Sequence, residues 1–112
     1  MNQRAATMRK RVQKQLTRQS ITKRLLQNRE TLREHGVKRL GLFGSFVRSK
    51  SRTKSDLDFL VEFDSLSFDH YMDVKIFLED LFARKVDLVT EKAIKPRLKP
   101  RILSEVEYVP GF

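Results

Sequence analysis

The chain has 112 residues, the size of a single domain with one core. It contains no cysteine, which excludes a disulfide framework and a thiolate metal site and favours a reducing compartment. No apolar run approaches the ~20 residues that cross a bilayer, and the start of the chain lacks the apolar region of a secretion signal. We therefore expect a cytoplasmic protein with no membrane partner.

The net charge of +10 is concentrated at the amino-terminal end of the chain. Residues 1–29 carry nine Lys and Arg and no acid, whereas the remainder carries fifteen bases and fourteen acids. This pattern favours a solvated basic helix face that can also meet an acidic partner, over an organelle transit peptide or a nucleic-acid-binding arm. We predict a basic, helical extension over residues 1–20 and one domain over residues 21–112.

Apolar side chains recur at helical spacing over residues 8–34, with no Gly or Pro among them, which predicts one long N-terminal helix. Gly36 suits the left-handed position that ends such a helix. A β-favouring run follows over residues 37–43 and predicts the first strand. Residues 44–47 can then turn into a short helix, whose free backbone N–H groups would attract phosphate.

Residues 48–55 contain no apolar side chain and predict a surface loop. The next run, residues 56–63, alternates between polar and apolar side chains, as a strand with one buried face does. In this strand Asp56 and Asp58 share the polar face, so the two carboxylates point together. The opposite face carries Leu57, Phe59, Val61 and Phe63.

A second long helix is predicted from Ser67 or Asp69, either of which can cap it, to Phe82. Residues 85–90 predict a third strand that places Asp87 on the polar face. Two prolines then indicate a short helix around residues 100–104 and an edge strand over 106–109. The predicted fold is α/β (α+β), a small mixed sheet flanked by helices. The apolar face predicted for the long helix comprises Tyr71, Met72, Val74, Ile76, Leu78 and Leu81.

Asp56, Asp58 and Asp87 would lie on neighbouring strands, where bare carboxylates repel one another: at ~4 Å, two charges cost about 4 kcal/mol at an effective dielectric of 20. They therefore need a cation. Oxygen ligands without His or Cys favour Mg²⁺ or Mn²⁺, and Mg²⁺ is commonly held by one or two carboxylates together with substrate phosphates. This constellation indicates a nucleoside triphosphate site for phosphoryl or nucleotidyl transfer.

The spacing of these residues resembles the signature of the DNA polymerase β superfamily of nucleotidyltransferases, in which Gly-Ser is followed after ten residues by Asp-x-Asp. Here Gly44-Ser45 precedes Asp56-Leu57-Asp58 by the ten residues 46–55. The flanking apolar residues sharpen the likeness to the minimal nucleotidyltransferases over residues 21–109. The chain departs from similar members at Ser49, where they carry glycine, and in its more basic loop.

The resemblance implies the polymerase-β-like nucleotidyltransferase fold and a set of residue roles. Gly44, Ser45 and Arg48 would bind the triphosphate of ATP. Asp56 and Asp58 would bind Mg²⁺, with two ions expected and Mn²⁺ as the alternative metal. Asp87 would be the third catalytic and metal-binding acid, and it would activate the nucleophile.

Minimal members of this family resemble the antitoxin half of HEPN–MNT toxin–antitoxin pairs. The implied function is transfer of AMP from ATP to a tyrosine of a partner HEPN ribonuclease toxin. Three alternatives stay open: an inactive antitoxin that acts by contact alone, a transferase for a small molecule such as an aminoglycoside, and nucleic-acid binding through residues 1–29. The intact acids of the motif count against the first of these, and the last is not favoured.

Overall fold

A computed structural model describes residues 16–44, 47, 56–65 and 67–112 of the chain. Residues 1–15 of the predicted basic extension and the predicted loop over residues 48–55 lie outside the described part. The described elements form a mixed sheet with helices, so the predicted fold class is confirmed. In chain order they are α1 (Arg18–Gln27), α2 (Arg29–Glu34), β1 (Val37–Phe43), β2 (Leu57–Phe63), α3 (Phe68–Phe82), β3 (Val86–Thr90), a 3-10 turn (Glu91–Ala93), α4 (Lys99–Glu105) and β4 (Glu107–Tyr108).

The prediction of one continuous helix over residues 8–34 was wrong, because the described part of this segment is interrupted at Thr17 and at Asn28. Thr17 is extended and caps α1 through a capping box with Ser20, so the described helix begins at Arg18. Asn28 separates α1 from α2, and its side-chain amide donates to the Arg24 carbonyl at 2.8 Å. Because a short polar side chain of this kind competes for backbone hydrogen bonds, the helix breaks at Asn28. The stop at Gly36 is confirmed, since this residue has a φ of +85°.

The four strands form one sheet in the order β3-β2-β1-β4. β1 pairs antiparallel with both β2 and β4, while β2 and β3 run parallel. The strand predicted at residues 37–43 is confirmed at both ends, and the predicted edge strand is present as β4. The parallel pair requires a crossover between β2 and β3, and α3 provides it.

One face of the sheet packs against α1, α2 and α3 and holds the main core. The alternation predicted for β2 places its apolar side chains in this core, as expected. Ser67 caps α3 and accepts from the His70 N–H at 3.1 Å, which decides between the two predicted caps. The prediction was wrong for Ile76, whose side chain is 51% exposed, because α3 is rotated so that Phe82 takes part in the core.

Fewer residues pack against the opposite face of the sheet. α4 begins with Pro100 in its first turn, as predicted, and it packs with Ile94 over this face. The buried residues of this second cluster are Phe43, Leu60 and Ile94. The acidic side chains of β2 and β3 belong to the same face, next to this cluster, because they alternate with the core side chains of their strands.

Among the described helices, none is both long and apolar enough to cross a membrane.

Candidate active site

Two of the predicted acids are direct neighbours across a pair of strands. Asp58 of β2 and Asp87 of β3 are register partners in the parallel pair, and adjacent strands lie about 4.8 Å apart. Asp58 is half-buried and Asp87 is exposed. Asp56 is also exposed and comes one residue before β2 begins. The fold therefore brings Asp58 and Asp87 side by side, with Asp56 at the entrance to the same strand.

Gly44 lies directly against this acidic pair. It follows the last residue of β1, Phe43, which is the register partner of Asp58. Its φ is +83°, and a Cβ at this position would lie 2.2 Å from Oδ2 of Asp58. Glycine is required here on both counts, because any other side chain would be strained and would push the carboxylate away.

The backbone turns immediately after Gly44. The Val47 N–H donates to the Gly44 carbonyl at 3.1 Å, a hydrogen bond that closes a turn, while the short helix predicted over residues 44–47 includes two residues outside the described part. Ser45 and Arg48, the other two predicted nucleotide-binding residues, lie outside the described part of the chain, as do the remaining loop residues before Asp56. Their predicted roles stay predictions.

Two residues that the sequence did not single out hold this turn. Glu105, at the end of α4, accepts the Gly44 N–H at 2.9 Å through Oε2. Arg18, at the start of α1, donates to the Val47 carbonyl at 3.4 Å and pairs with Glu107 at 2.9 Å. No local pattern indicates either contact, because Glu105 is 61 residues from Gly44 and Arg18 is 29 residues from Val47.

The donor atoms at this site fit a divalent cation that prefers oxygen. Carboxylates on adjacent strands supply such oxygens, and Gly44 packs against Oδ2 of Asp58 without a side chain of its own. Within the described ranges, no three His, Cys, Asp or Glu side chains are grouped closely enough to hold a metal by themselves. This agrees with the usual Mg²⁺ arrangement, in which substrate phosphates complete a site that begins with one or two carboxylates.

Tyr71 of α3 supports the strand that carries Asp87. Its hydroxyl donates to the carbonyl of Leu88, the residue after Asp87. Burial raises the pKa of Tyr71 above its usual value, and the negative charge of Asp87 raises it further. The phenol is therefore protonated at neutral pH and available as a hydrogen-bond donor to β3.

Comparison with known families decides what kind of protein carries this site. The family model of the nucleotidyltransferase domain matches residues 23–109 of the chain. The chain belongs to this nucleotidyltransferase family. The match includes β1, the Gly44 turn and all three predicted acids, and family members take a nucleoside triphosphate and a divalent metal ion.

The nucleotidyltransferase has relatives of similar length. It is 36% identical to the protein adenylyltransferase MntA of Thermococcus cleftensis over 96 residues, which cover 84% of this chain and 97% of that protein. A solved structure assigned as a minimal nucleotidyltransferase is 34% identical, with a TM-score of 0.63, and covers 77% of this chain and 93% of its own. Both comparisons confirm the family suggested by the Gly-Ser and Asp-x-Asp spacing.

A more distant structure shares the fold of the nucleotidyltransferase. It is a tri-AMPylated HEPN toxin from Shewanella oneidensis in complex with MNT antitoxin, at a TM-score of 0.59 and 18% identity. The similarity covers 84% of this chain and 72% of that chain.

Proposed function

We propose that this nucleotidyltransferase transfers AMP from ATP to a tyrosine of a partner HEPN ribonuclease toxin and thereby acts as its antitoxin. The observation that carries the proposal is the likeness to a protein adenylyltransferase over nearly the whole length of that relative. Further support comes from the fold shared with the antitoxin of an AMPylated toxin complex.

The proposed roles are those implied by the resemblance of the Gly-Ser and Asp-x-Asp spacing, and the register of Asp58 with Asp87 supports those of the acids. Gly44, Ser45 and Arg48 bind the triphosphate, where Gly44 contributes a backbone that a nucleotide can approach closely. Asp56 and Asp58 are the ligands of two Mg²⁺ ions, with Asp87 as a further ligand. The bound ions would neutralise the charge that builds up on the phosphates during transfer.

The transfer itself is a substitution at the α-phosphorus of ATP. The tyrosine oxygen forms a bond to this phosphorus, the bond from the phosphorus to the bridging oxygen breaks, and pyrophosphate leaves. Asp87 accepts the phenolic proton. Its carboxylate suits this role because it is exposed and can be reached by a side chain of another protein, whereas Asp58 is half-buried.

The proposal is tested by co-purifying the chain with its partner toxin and measuring AMP transfer from labelled ATP. We expect labelling of the toxin by the wild-type chain and by Asp73→Asn, which changes an exposed acid of α3 far from the site in sequence. We expect none from Asp56→Asn or Asp58→Asn. Equal labelling by these two variants would contradict the proposal. Neutralisation of the toxin without any labelling would instead support an antitoxin that acts by contact alone.

The same labelling assay distinguishes a transferase that acts on a small molecule from one that acts on the toxin. In that case the purified chain would label an aminoglycoside or another small acceptor in the absence of the toxin. Salt-sensitive binding of RNA or DNA that disappears on deletion of residues 1–15 would point to the basic extension as a nucleic-acid contact.

A further inference from the structure

The turn that follows β1 is held in place by residues outside the nucleotidyltransferase motif. Glu105 accepts the Gly44 N–H at 2.9 Å from one side of the turn. Arg18 reaches the Val47 carbonyl at 3.4 Å from another element. Both contacts are partly buried and each has one ionised partner, but the contact of Glu105 is the shorter one, at 2.9 Å against 3.4 Å. Glu105 is therefore the stronger of the two restraints.

The hydrogen bond to Glu105 matters because of the backbone conformation and the close packing of Gly44. Gly44 has a left-handed backbone and packs so closely on Asp58 that a Cβ would overlap its carboxylate. A glycine has more conformational freedom than any other residue, so its peptide orientation must be fixed by contacts. The hydrogen bond from Gly44 to Glu105 fixes the N–H vector at the point where the chain leaves β1 and enters the phosphate-binding turn.

We propose that Glu105 is a positioning residue for the triphosphate: it accepts the Gly44 N–H and fixes the orientation of this peptide at the end of β1. This inference rests on the proposed nucleotide site but not on the identity of the acceptor. It assigns Glu105 no part in the chemical step.

Three variants of Glu105 distinguish a positioning role from an effect of its charge alone. Glu105→Ala removes the acceptor, Glu105→Gln keeps an acceptor oxygen without the charge, and Glu105→Asp keeps the charge on a side chain that is one methylene shorter. Positioning predicts that Ala and Asp weaken ATP binding by about tenfold, the scale of a lost charged hydrogen bond, while Gln, which keeps a neutral acceptor, weakens it less. If the charge of Glu105 acts only by repelling the triphosphate, Glu105→Ala and Glu105→Gln should both bind ATP more tightly.

Glu91→Gln is the matched control, because Glu91 is a half-exposed glutamate that pairs with Lys99 and not with Arg18 or the turn. We expect ATP binding by this variant to stay within about twofold of wild type, since an exposed ion pair contributes little.

The experiment is calorimetric titration of ATP with Mg²⁺ into each purified variant, with thermal unfolding recorded in parallel. Kinetics of AMP transfer to the partner should show a raised KM for ATP and a nearly unchanged kcat for Glu105→Ala and Glu105→Asp. If these two bind ATP as the wild type does, the inference is overturned, while the proposed function stands on transfer by the wild type. If ATP binding depends on Glu105 but the partner is never modified, the inference stands and the proposed function fails. A wild-type chain that does not bind ATP would overturn both.

Discussion

One face of the sheet lies under α1, α2 and α3, and the other lies under α4 and the segment around Ile94. Among the described residues, fifteen buried apolar side chains belong to the first cluster and three to the second. The acids Asp58 and Asp87 lie on the second face, together with Gly44 at its edge. The densely packed face therefore supplies most of the stability, and the sparsely covered face leaves carboxylates accessible for chemistry.

The largest effect on activity should come from Asp58→Asn. The substitution removes one carboxylate charge from the proposed metal site and keeps the side-chain shape. Loss of even an outer partner of a metal site typically costs 10–100-fold, so we expect a loss of AMP transfer of more than about 100-fold. Thermal unfolding should change little, because no main-core residue is altered. Residual transfer within tenfold of wild type would contradict the assigned role.

The largest effect on stability should come from the opposite face. Leu78 of α3 is fully buried in the main core, so Leu78→Ala leaves a cavity and should lower the free energy of unfolding by about 2–5 kcal/mol. Urea unfolding measures this loss. ATP binding by the folded fraction at low temperature should remain close to wild type. A selective loss of ATP affinity without a loss of stability would show that the two faces do not divide these tasks.

Alanine substitutions at two glycines test whether stability and activity depend on different parts of the molecule. Gly36 and Gly44 have φ values of +85° and +83°, so alanine is strained at both, by about 1–2 kcal/mol. A Cβ at Gly36 would meet Nδ1 of His70 at 3.1 Å, whereas one at Gly44 would overlap Oδ2 of Asp58. We expect Gly36→Ala to lower stability alone and Gly44→Ala also to reduce AMP transfer by more than about tenfold, because it displaces a proposed metal ligand.

The measurements for this pair are thermal unfolding and AMP transfer under identical conditions. Equal activities of the two variants would contradict a special role for the close approach of Gly44 to Asp58.

The smallest effect should come from Tyr71→Phe, which removes the hydrogen bond to Leu88 and should cost about 1 kcal/mol near neutral pH. The pKa of Tyr71 is raised in the folded chain, so the protonated phenol contributes stability that is fully present below about pH 10. This contribution is lost as the pH rises from there through the folded pKa.

Urea unfolding of wild type and Tyr71→Phe at about pH 8 and about pH 10.5 measures this dependence. The wild type should lose more stability between the two values than the variant. An equal loss in both proteins would indicate that Tyr71 does not contribute to the alkaline dependence.

Local patterns in the sequence were sufficient for the strands, for the acids and for the long helix α3. Alternation along β2 identified which of its side chains enter the main core. The polar positions of β2 and β3 then place Asp58 and Asp87 on the opposite face. This works because successive side chains of a strand point to opposite faces, so that residues two apart share a face.

Contacts between distant residues could not be predicted in the same way. The break at Asn28 depends on a side chain that competes with the helix, and the exposure of Ile76 depends on how α3 rotates on the sheet. The contact between Glu105 and Gly44 joins residues 61 positions apart and has no periodic signature. The elements that surround the site were thus predictable, whereas the residues that hold its turn were visible only in three dimensions.

The central claim is that the acidic face transfers AMP to a tyrosine of a partner protein. The most direct test is tandem mass spectrometry of the partner toxin after incubation with the chain, ATP and Mg²⁺. The account predicts AMP on a tyrosine of the toxin after reaction with the wild-type chain, and an unmodified toxin after reaction with Asp58→Asn. A toxin that is silenced by the wild-type chain and yet carries no AMP would contradict it.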